Sequence, residues 1–253
     1  MSKKVFSFIA LTVIFFLISH YIILFSHEWT HGSLAYLFGY KPNPFCIQYG
    51  INSWTDIFLF PKIDEAVQYS YLYFIGHPYE AGIIAITPPL LVNGGQYLIC
   101  MYLLSRPWIQ KSHWTFYFIF WLAIMALGNW YDYIPIRAFA YTGDVGNFNH
   151  TFGISPWWIY IIGTYIVIFF LWHFLKIQLP RLFRIMGIKN NFSRVLLLFI
   201  VLSTIFFLFG GTGLNNNSIC QIMSWSSISL IPILMFALSP RFLLRKDSHQ
   251  NNL

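Results

Sequence analysis

Residues 5–31 read VFSFIALTVIFFLISHYIILFSHEWTH, an apolar run that ends in two histidines and a glutamate. A helix of about 20 apolar residues spans the hydrocarbon core of a bilayer. The run therefore predicts a transmembrane helix whose last turns carry ionisable side chains. Such side chains are costly inside a membrane and are by default functional.

The ionisable residues form an HExxH pattern, with His27, Glu28 and His31 as its three chemical groups. Positions four apart lie on one face of a helix, so both imidazoles can reach one zinc ion. Glu28 lies beside that face, where it can take a proton from an activated water and pass it to a leaving amine. The pattern predicts a catalytic metal site. His20, seven residues before His27, is expected to pack against a neighbouring helix.

The composition excludes a water-soluble globule. The 253 residues are 57% hydrophobic and 9% charged, whereas soluble domains carry about 25% charged residues. Six apolar runs predict six transmembrane spans, at residues 5–38, 82–104, 113–128, 156–175, 194–209 and 219–238.

The segment between the first two spans differs from a transmembrane helix. Residues 45–49 and 57–60 are short, apolar and aromatic, and turn-prone Gly50, Asn52 and Ser53 separate them. This pattern predicts a small β-hairpin at the membrane surface or dipping into it. Backbone of that kind at membrane depth lines a wet cavity or is buried in protein. The expected fold is therefore an all-α polytopic membrane protein with a small β-hairpin.

The net charge of +7 does not indicate a nucleic-acid partner, because the basic residues lie in short connections between apolar runs. That placement is typical of topology signals. With the amino terminus in the cytoplasm, twelve of the fifteen Lys and Arg residues fall on the cytoplasmic side. The sequence therefore predicts an integral, multi-pass membrane protein with both termini in the cytoplasm. Cys46, Cys100 and Cys220 are far apart and predict no disulfide framework.

Two histidines leave a catalytic zinc ion one protein ligand short. Asp144 is a candidate for the third ligand because Gly143 precedes it and allows a sharp turn. Asp132 and His150 are alternatives, and local chemistry alone leaves the three open.

These motifs resemble those of the site-2 protease family of intramembrane zinc metalloproteases. The HExxH sequence is followed by Gly32, as is common in that family. The family pattern small-Pro-x-x-Asn has a counterpart in residues 87–93, TPPLLVN. The Asn/Pro-rich stretch and aspartate of the family's third helix are matched loosely by residues 129–135 and Asp144. The predicted hairpin also has a counterpart in the family.

The resemblance implies a three-helix protease-like core with a metal site in residues 1–150. Residues 151–253 would add three transmembrane helices and a short cytoplasmic tail. By resemblance, His27, His31 and Asp144 would bind Zn²⁺ and Glu28 would be the general base. Asn93 would hold the substrate backbone or stabilise the oxyanion. The substrate would be a membrane-embedded or membrane-adjacent protein within the lipid bilayer.

The chain departs from the family in its third motif. Nine positions separate Pro135 from Asp144, and Val145 follows where the family has glycine. Asp132 therefore stays open as the third ligand.

Two other functions compete with an intramembrane endopeptidase. One is a non-catalytic membrane protein, either a degenerate family member or a metal-binding or transport protein. The last three spans hold almost no ionisable residue except His173, which argues against an ion path. A degenerate enzyme is expected to have lost Glu28 or a histidine of the motif, and all three residues are present here. The other is a zinc enzyme that acts on lipid or another small substrate, which HExxH alone does not exclude.

Overall fold

The computed structural model describes residues 3–51 and 53–243, and every regular element in that part of the chain is helical. Its α-helices are α1 (Lys3–Leu37), α2 (Trp54–Leu59), α3 (Tyr69–Phe74), α4 (Pro78–Thr87), α5 (Gly95–Leu104), α6 (Pro107–Gln110), α7 (His113–Tyr131), α8 (Gly143–Phe152), α9 (Pro156–His173), α10 (Leu179–Ile185), α11 (Asn191–Ser203) and α12 (Ser218–Leu243). Wider π-helical segments lie at Pro88–Gly94, Asp132–Ile136, Phe174–Gln178 and Thr204–Phe209, and a 3-10 turn lies at Thr212–Asn215.

Five helical stretches of the described chain are long and apolar enough to cross a membrane. They are Phe8–Leu37, Pro78–Leu104, Pro156–Ile185, Asn191–Asn215 and Ser218–Pro240. These lengths and compositions are those of a multi-pass membrane protein, as the sequence predicts. The number is one lower than the six predicted spans.

The missing span is α7, which is the central helix of the bundle. It packs against α1, α5 and α9, and most of its side chains are buried. Trp121, Tyr117 and Phe120 are fully buried within it. Other helices surround α7, so its side chains pack against protein rather than lipid. Large aromatic residues fill that space, where a lipid-facing helix would carry aliphatic residues.

The predicted β-hairpin at residues 45–60 is wrong. The described part of this segment holds one isolated antiparallel bridge, between Gln48 and Asp64. The second predicted strand is the short helix α2. The Ser53 hydroxyl accepts a hydrogen bond from the Asp56 N–H, and the Asp56 carboxylate accepts one from the Ser53 N–H. This reciprocal capping box starts a helix and overrides the strand propensity of the aromatic residues.

The two predicted halves of the chain are in contact. The boundary placed after residue 150 falls inside α8, and α9 and α12 pack against the segment Asp132–Ile136 of the first half. Most of the predicted cytoplasmic tail, residues 244–253, lies outside the described residues.

The packing of α7 gives a direct test of the fold. Gly128 lies so close to Phe209 that an added Cβ would be 2.3 Å from its ring. Gly128→Ala is therefore expected to destabilise the protein by about 1–3 kcal/mol, measured as a lower thermal midpoint in detergent. Gly95→Ala is the matched control, since nothing lies within 4 Å of its added Cβ. Equal midpoints for both variants would contradict this packing.

Candidate metal centre

The structure brings three potential metal ligands from two helices to one point. His27 and His31 lie one turn apart on α1, and Asp144 lies in the first turn of α8. The Nε2 atoms of the two histidines are 3.1 Å apart. Asp144 Oδ2 lies 3.1 Å from His27 Nε2 and 3.3 Å from His31 Nε2. Both imidazoles are almost completely buried, at 1% exposure each.

Two adjacent prolines make possible the hydrogen bond that orients the ring of His31. Its Nδ1–H donates a hydrogen bond of 2.8 Å to the Ile84 carbonyl in α4. In a regular helix that carbonyl would accept from the N–H four residues on, or five residues on in a π-helix. Those residues are Pro88 and Pro89, which have no N–H. The prolines thus leave the Ile84 carbonyl free for His31. With the proton of a neutral imidazole held at Nδ1 by this bond, Nε2 is the nitrogen that can bind a metal.

Two asparagines hold the ring of His27. Its Nδ1–H donates to Asn93 Oδ1 at 3.3 Å, and Asn93 Nδ2 donates to Asn129 Oδ1, also at 3.3 Å. This chain of donors fixes the direction of the Asn93 amide and turns Nε2 of His27 toward Asp144. Asn93 is fully buried behind the imidazole. The Asn93 oxygen bonds to Nδ1 of His27, whereas Nε2 of the same ring faces Asp144.

A turn at Gly143 places the first residues of α8 beside α1, so that Asp144 lies next to the two histidines. Gly143 adopts a positive φ of 80°, which only glycine takes up at low cost. The helix then packs along α4, and the Tyr73 hydroxyl donates to the Asn147 carbonyl. Burial acts to raise the pKa of Asp144, but the adjacent side chains of His31 and His27 outweigh burial and lower that pKa. The carboxylate is therefore ionised, as a metal ligand must be.

Glu28 lies beside the three ligands rather than among them. It is buried, and its carboxyl is within hydrogen-bonding reach of the Glu65 carboxyl and within electrostatic range of His31 and Asp144. The Tyr69 hydroxyl lies 3.3 Å from Nδ1 of His31 and also bonds to Glu65. Burial and then the charge of Glu65 raise the pKa of Tyr69, so its hydroxyl stays protonated at neutral pH.

Lys41 holds the segment that carries Glu65. Its ammonium is buried and donates to the main-chain carbonyls of Cys46 and Glu65. These bonds join the two chain segments that form the isolated bridge at Gln48 and Asp64. The first of these segments lies against α1. The carboxyl of Glu65 therefore comes from the loop that follows α2, beyond the residues predicted to form a hairpin.

The other sequence-derived candidates lie outside the cluster. The Asp132 carboxylate pairs with the Arg137 guanidinium and accepts a hydrogen bond from the Thr212 hydroxyl. His150 is exposed and meets the ring of Tyr73 edge-on. His20 donates a hydrogen bond of 3.0 Å to the Leu59 carbonyl, next to the end of α2.

The donor set and its geometry fit zinc. Two ligands of a tetrahedral zinc ion, each about 2.0–2.1 Å from the metal, lie roughly 3.3 Å from each other. The three pairs formed by His27, His31 and Asp144 are 3.1, 3.1 and 3.3 Å apart. Each imidazole is oriented by a hydrogen bond from its Nδ1–H to a protein oxygen, as is usual for histidines that bind zinc through the other ring nitrogen. The three residues could therefore hold Zn²⁺.

Sequence reasoning missed three side chains at the cluster. Glu65 and Tyr69 lie on the side of Glu28, and the Tyr133 hydroxyl lies 2.9 Å from Nε2 of His27. The sequence did point to Glu65, because the whole chain holds only eight acidic residues and a buried acidic residue in a membrane protein usually has a function. No periodicity indicates the two tyrosines.

A separate cavity of about 730 Å³ lies between α9, α10, α12 and three π-helical segments, Asp132–Ile136, Phe174–Gln178 and Thr204–Phe209. Its walls are apolar, and none of the cluster residues lines it. It borders Pro135 and Ile136, which lie in the same π-helical segment as Tyr133.

No known protein family, characterised protein or solved structure matches the chain. The function is therefore argued from the geometry and the motifs alone.

The prolines provide a test of how His31 is oriented. Pro88→Ala supplies an N–H that competes for the Ile84 carbonyl, so the affinity for Zn²⁺ is expected to fall by about tenfold or more. Competition with a chelating dye measures that affinity. Pro232→Ala in α12 is the control, because it also removes a proline from a helix interior. Unchanged affinity in Pro88→Ala would contradict the role of the freed carbonyl.

A second test separates the two candidate aspartates. Asp144→Asn is expected to lose most bound zinc, because it removes an anionic ligand from the cluster. Asp132→Asn is expected to keep zinc in its folded fraction and to lower thermal stability, since it leaves Arg137 without a full ion pair. Metal analysis of purified monodisperse protein measures both. The reverse pattern of zinc loss would assign the ligand to Asp132.

Proposed function

We propose that the protein is a zinc-dependent intramembrane endopeptidase that hydrolyses peptide bonds of membrane-embedded or membrane-adjacent proteins. The observation that carries the proposal is the convergence of His27, His31 and Asp144, with the Glu28 carboxyl beside them. The motif resemblance to the site-2 protease family supports the same activity. The motif lies in a helix long and apolar enough to cross a membrane, which supports a substrate within the bilayer.

Each residue has a role that follows from its position. His27, His31 and Asp144 would hold the zinc ion, which when bound polarises the scissile carbonyl and makes water nucleophilic at neutral pH. Glu28 takes a proton from the attacking water as its oxygen bonds to the carbonyl carbon. Glu28 then gives that proton to the nitrogen as the C–N bond breaks. Asn93 and the Ile84 carbonyl keep the imidazoles oriented throughout.

The charge distribution supports a topology with both termini in the cytoplasm. In the proposed arrangement α7 completes an even number of crossings with the five long apolar stretches. The cluster then lies toward the non-cytoplasmic end of α1.

Metal transport is the weaker alternative. A transport path needs further polar or ionisable ligands along its length. In the part of the chain that the structure describes, His27, His31 and Asp144 are the one group of three such residues close enough to share an ion. A single buried site with the Glu28 carboxyl beside it favours hydrolysis over the transport of an ion across the membrane.

Glu28→Gln tests the proposed mechanism. The change removes the base and keeps the ligands, so activity should fall by at least about 10²-fold while zinc content is unchanged. Activity is read by comparing new protein termini in membranes of cells that express wild type or variant. Glu80→Gln is the control, a carboxyl on α4 that bonds to His77. Cleavage products that persist in Glu28→Gln would contradict the mechanism.

A further inference from the structure

The residue that the sequence suggests for the oxyanion bonds to Nδ1 of His27, whereas Nε2 of that ring faces Asp144. Asn93 was the candidate from the sequence, but its amide donates to Asn129 and accepts from His27. A group that stabilises developing negative charge must aim a donor at the reacting atoms. A donor on the Nε2 side of His27 is therefore better placed for that role than Asn93.

Tyr133 is the side chain in that position. Its ring stacks on the His27 imidazole, with centroids 5.1 Å apart and planes 10° apart. Its hydroxyl lies 2.9 Å from His27 Nε2, the atom that also faces Asp144. When Nε2 binds a metal it no longer takes part in that hydrogen bond. The hydroxyl is then a free donor next to the metal position.

The backbone around Tyr133 is held from both sides. Asp132 is bonded to Arg137 and Thr212, and the Arg137 guanidinium lies 4.4 Å over the Tyr133 ring. On the other side, Ile134 is buried and packs onto the bare face of Gly163 in α9. Preorganisation of this kind is what a donor needs to act in a transition state rather than adjust to it.

We propose that Tyr133 is a catalytic residue whose phenol donates a hydrogen bond to the carbonyl oxygen of the scissile peptide as that oxygen gains negative charge. The proposal rests on the proposed peptide hydrolysis and adds a residue to it. The phenol keeps its proton, so the proton balance that Glu28 maintains is unchanged.

The substitution Tyr133→Phe removes the hydroxyl and keeps the stacked ring. We expect kcat for an apolar peptide in detergent micelles to fall by about 10²–10³-fold, with little change in KM, zinc content or thermal midpoint. The affinity for a phosphinic analogue of that peptide, which mimics the tetrahedral oxyanion, should fall by a similar factor. Affinity for the uncleaved peptide in the Glu28→Gln background should be unchanged.

Tyr131→Phe is the matched control, because that hydroxyl donates to Ser227 at 3.0 Å and does not face the cluster. Loss of zinc in Tyr133→Phe would overturn the proposal and make the phenol a metal ligand. Equal phosphinate affinity of wild type and Tyr133→Phe would also overturn it. Because that comparison needs no turnover, its failure is distinct from failure of the proposed function, which a zinc-loaded wild type without peptidase activity would show.

Discussion

The contact between Asp144 and the two histidines of α1 joins parts of the chain that are more than a hundred residues apart. A carboxylate and two imidazoles inside an apolar bundle are costly unless they satisfy one another or a bound cation. That constraint explains why α8 packs along α4, and why the turn before Asp144 uses glycine in a left-handed conformation. The position of α8 thus follows from the electrostatics of α1.

The surroundings of the cluster also follow from the need to satisfy buried polar groups. Pro88 and Pro89 leave a main-chain carbonyl without its helical donor, and His31 supplies one. Asn129 accepts from Asn93, which accepts from His27. Each imidazole therefore has a partner at Nδ1 and directs Nε2 toward Asp144. The rings are held by backbone and amide groups of α4, α7 and the π-helical segment between α4 and α5, and that segment packs against both helices.

The sequence predicts the features that depend on local pattern. Helices at membrane length follow from apolar runs, and the pairing of His27 with His31 follows from helical spacing. The failure at residues 53–60 was also local, since Ser53 and Asp56 form a capping box that the sequence contains. By contrast, the preference for Asp144 over Asp132 depends on Arg137 and Thr212, which engage the latter. The orientation of Asn93 likewise depends on Asn129 of another helix. Such contacts are set by tertiary packing, and spacing along the chain does not encode them.

The bond between Thr212 and Asp132 has a consequence for the order in which the protein is made. Thr212 lies 80 residues after Asp132 in the chain. At about 5–20 residues per second, a ribosome adds that length in roughly 4–16 s. For most of this interval the HExxH helix, Tyr133 and Asp144 have already been made, but the π-helical segment that carries Tyr133 lacks one of its anchors. The nascent protein therefore passes through a stage in which the three residues proposed to bind the metal are present while the anchoring of Tyr133 is incomplete.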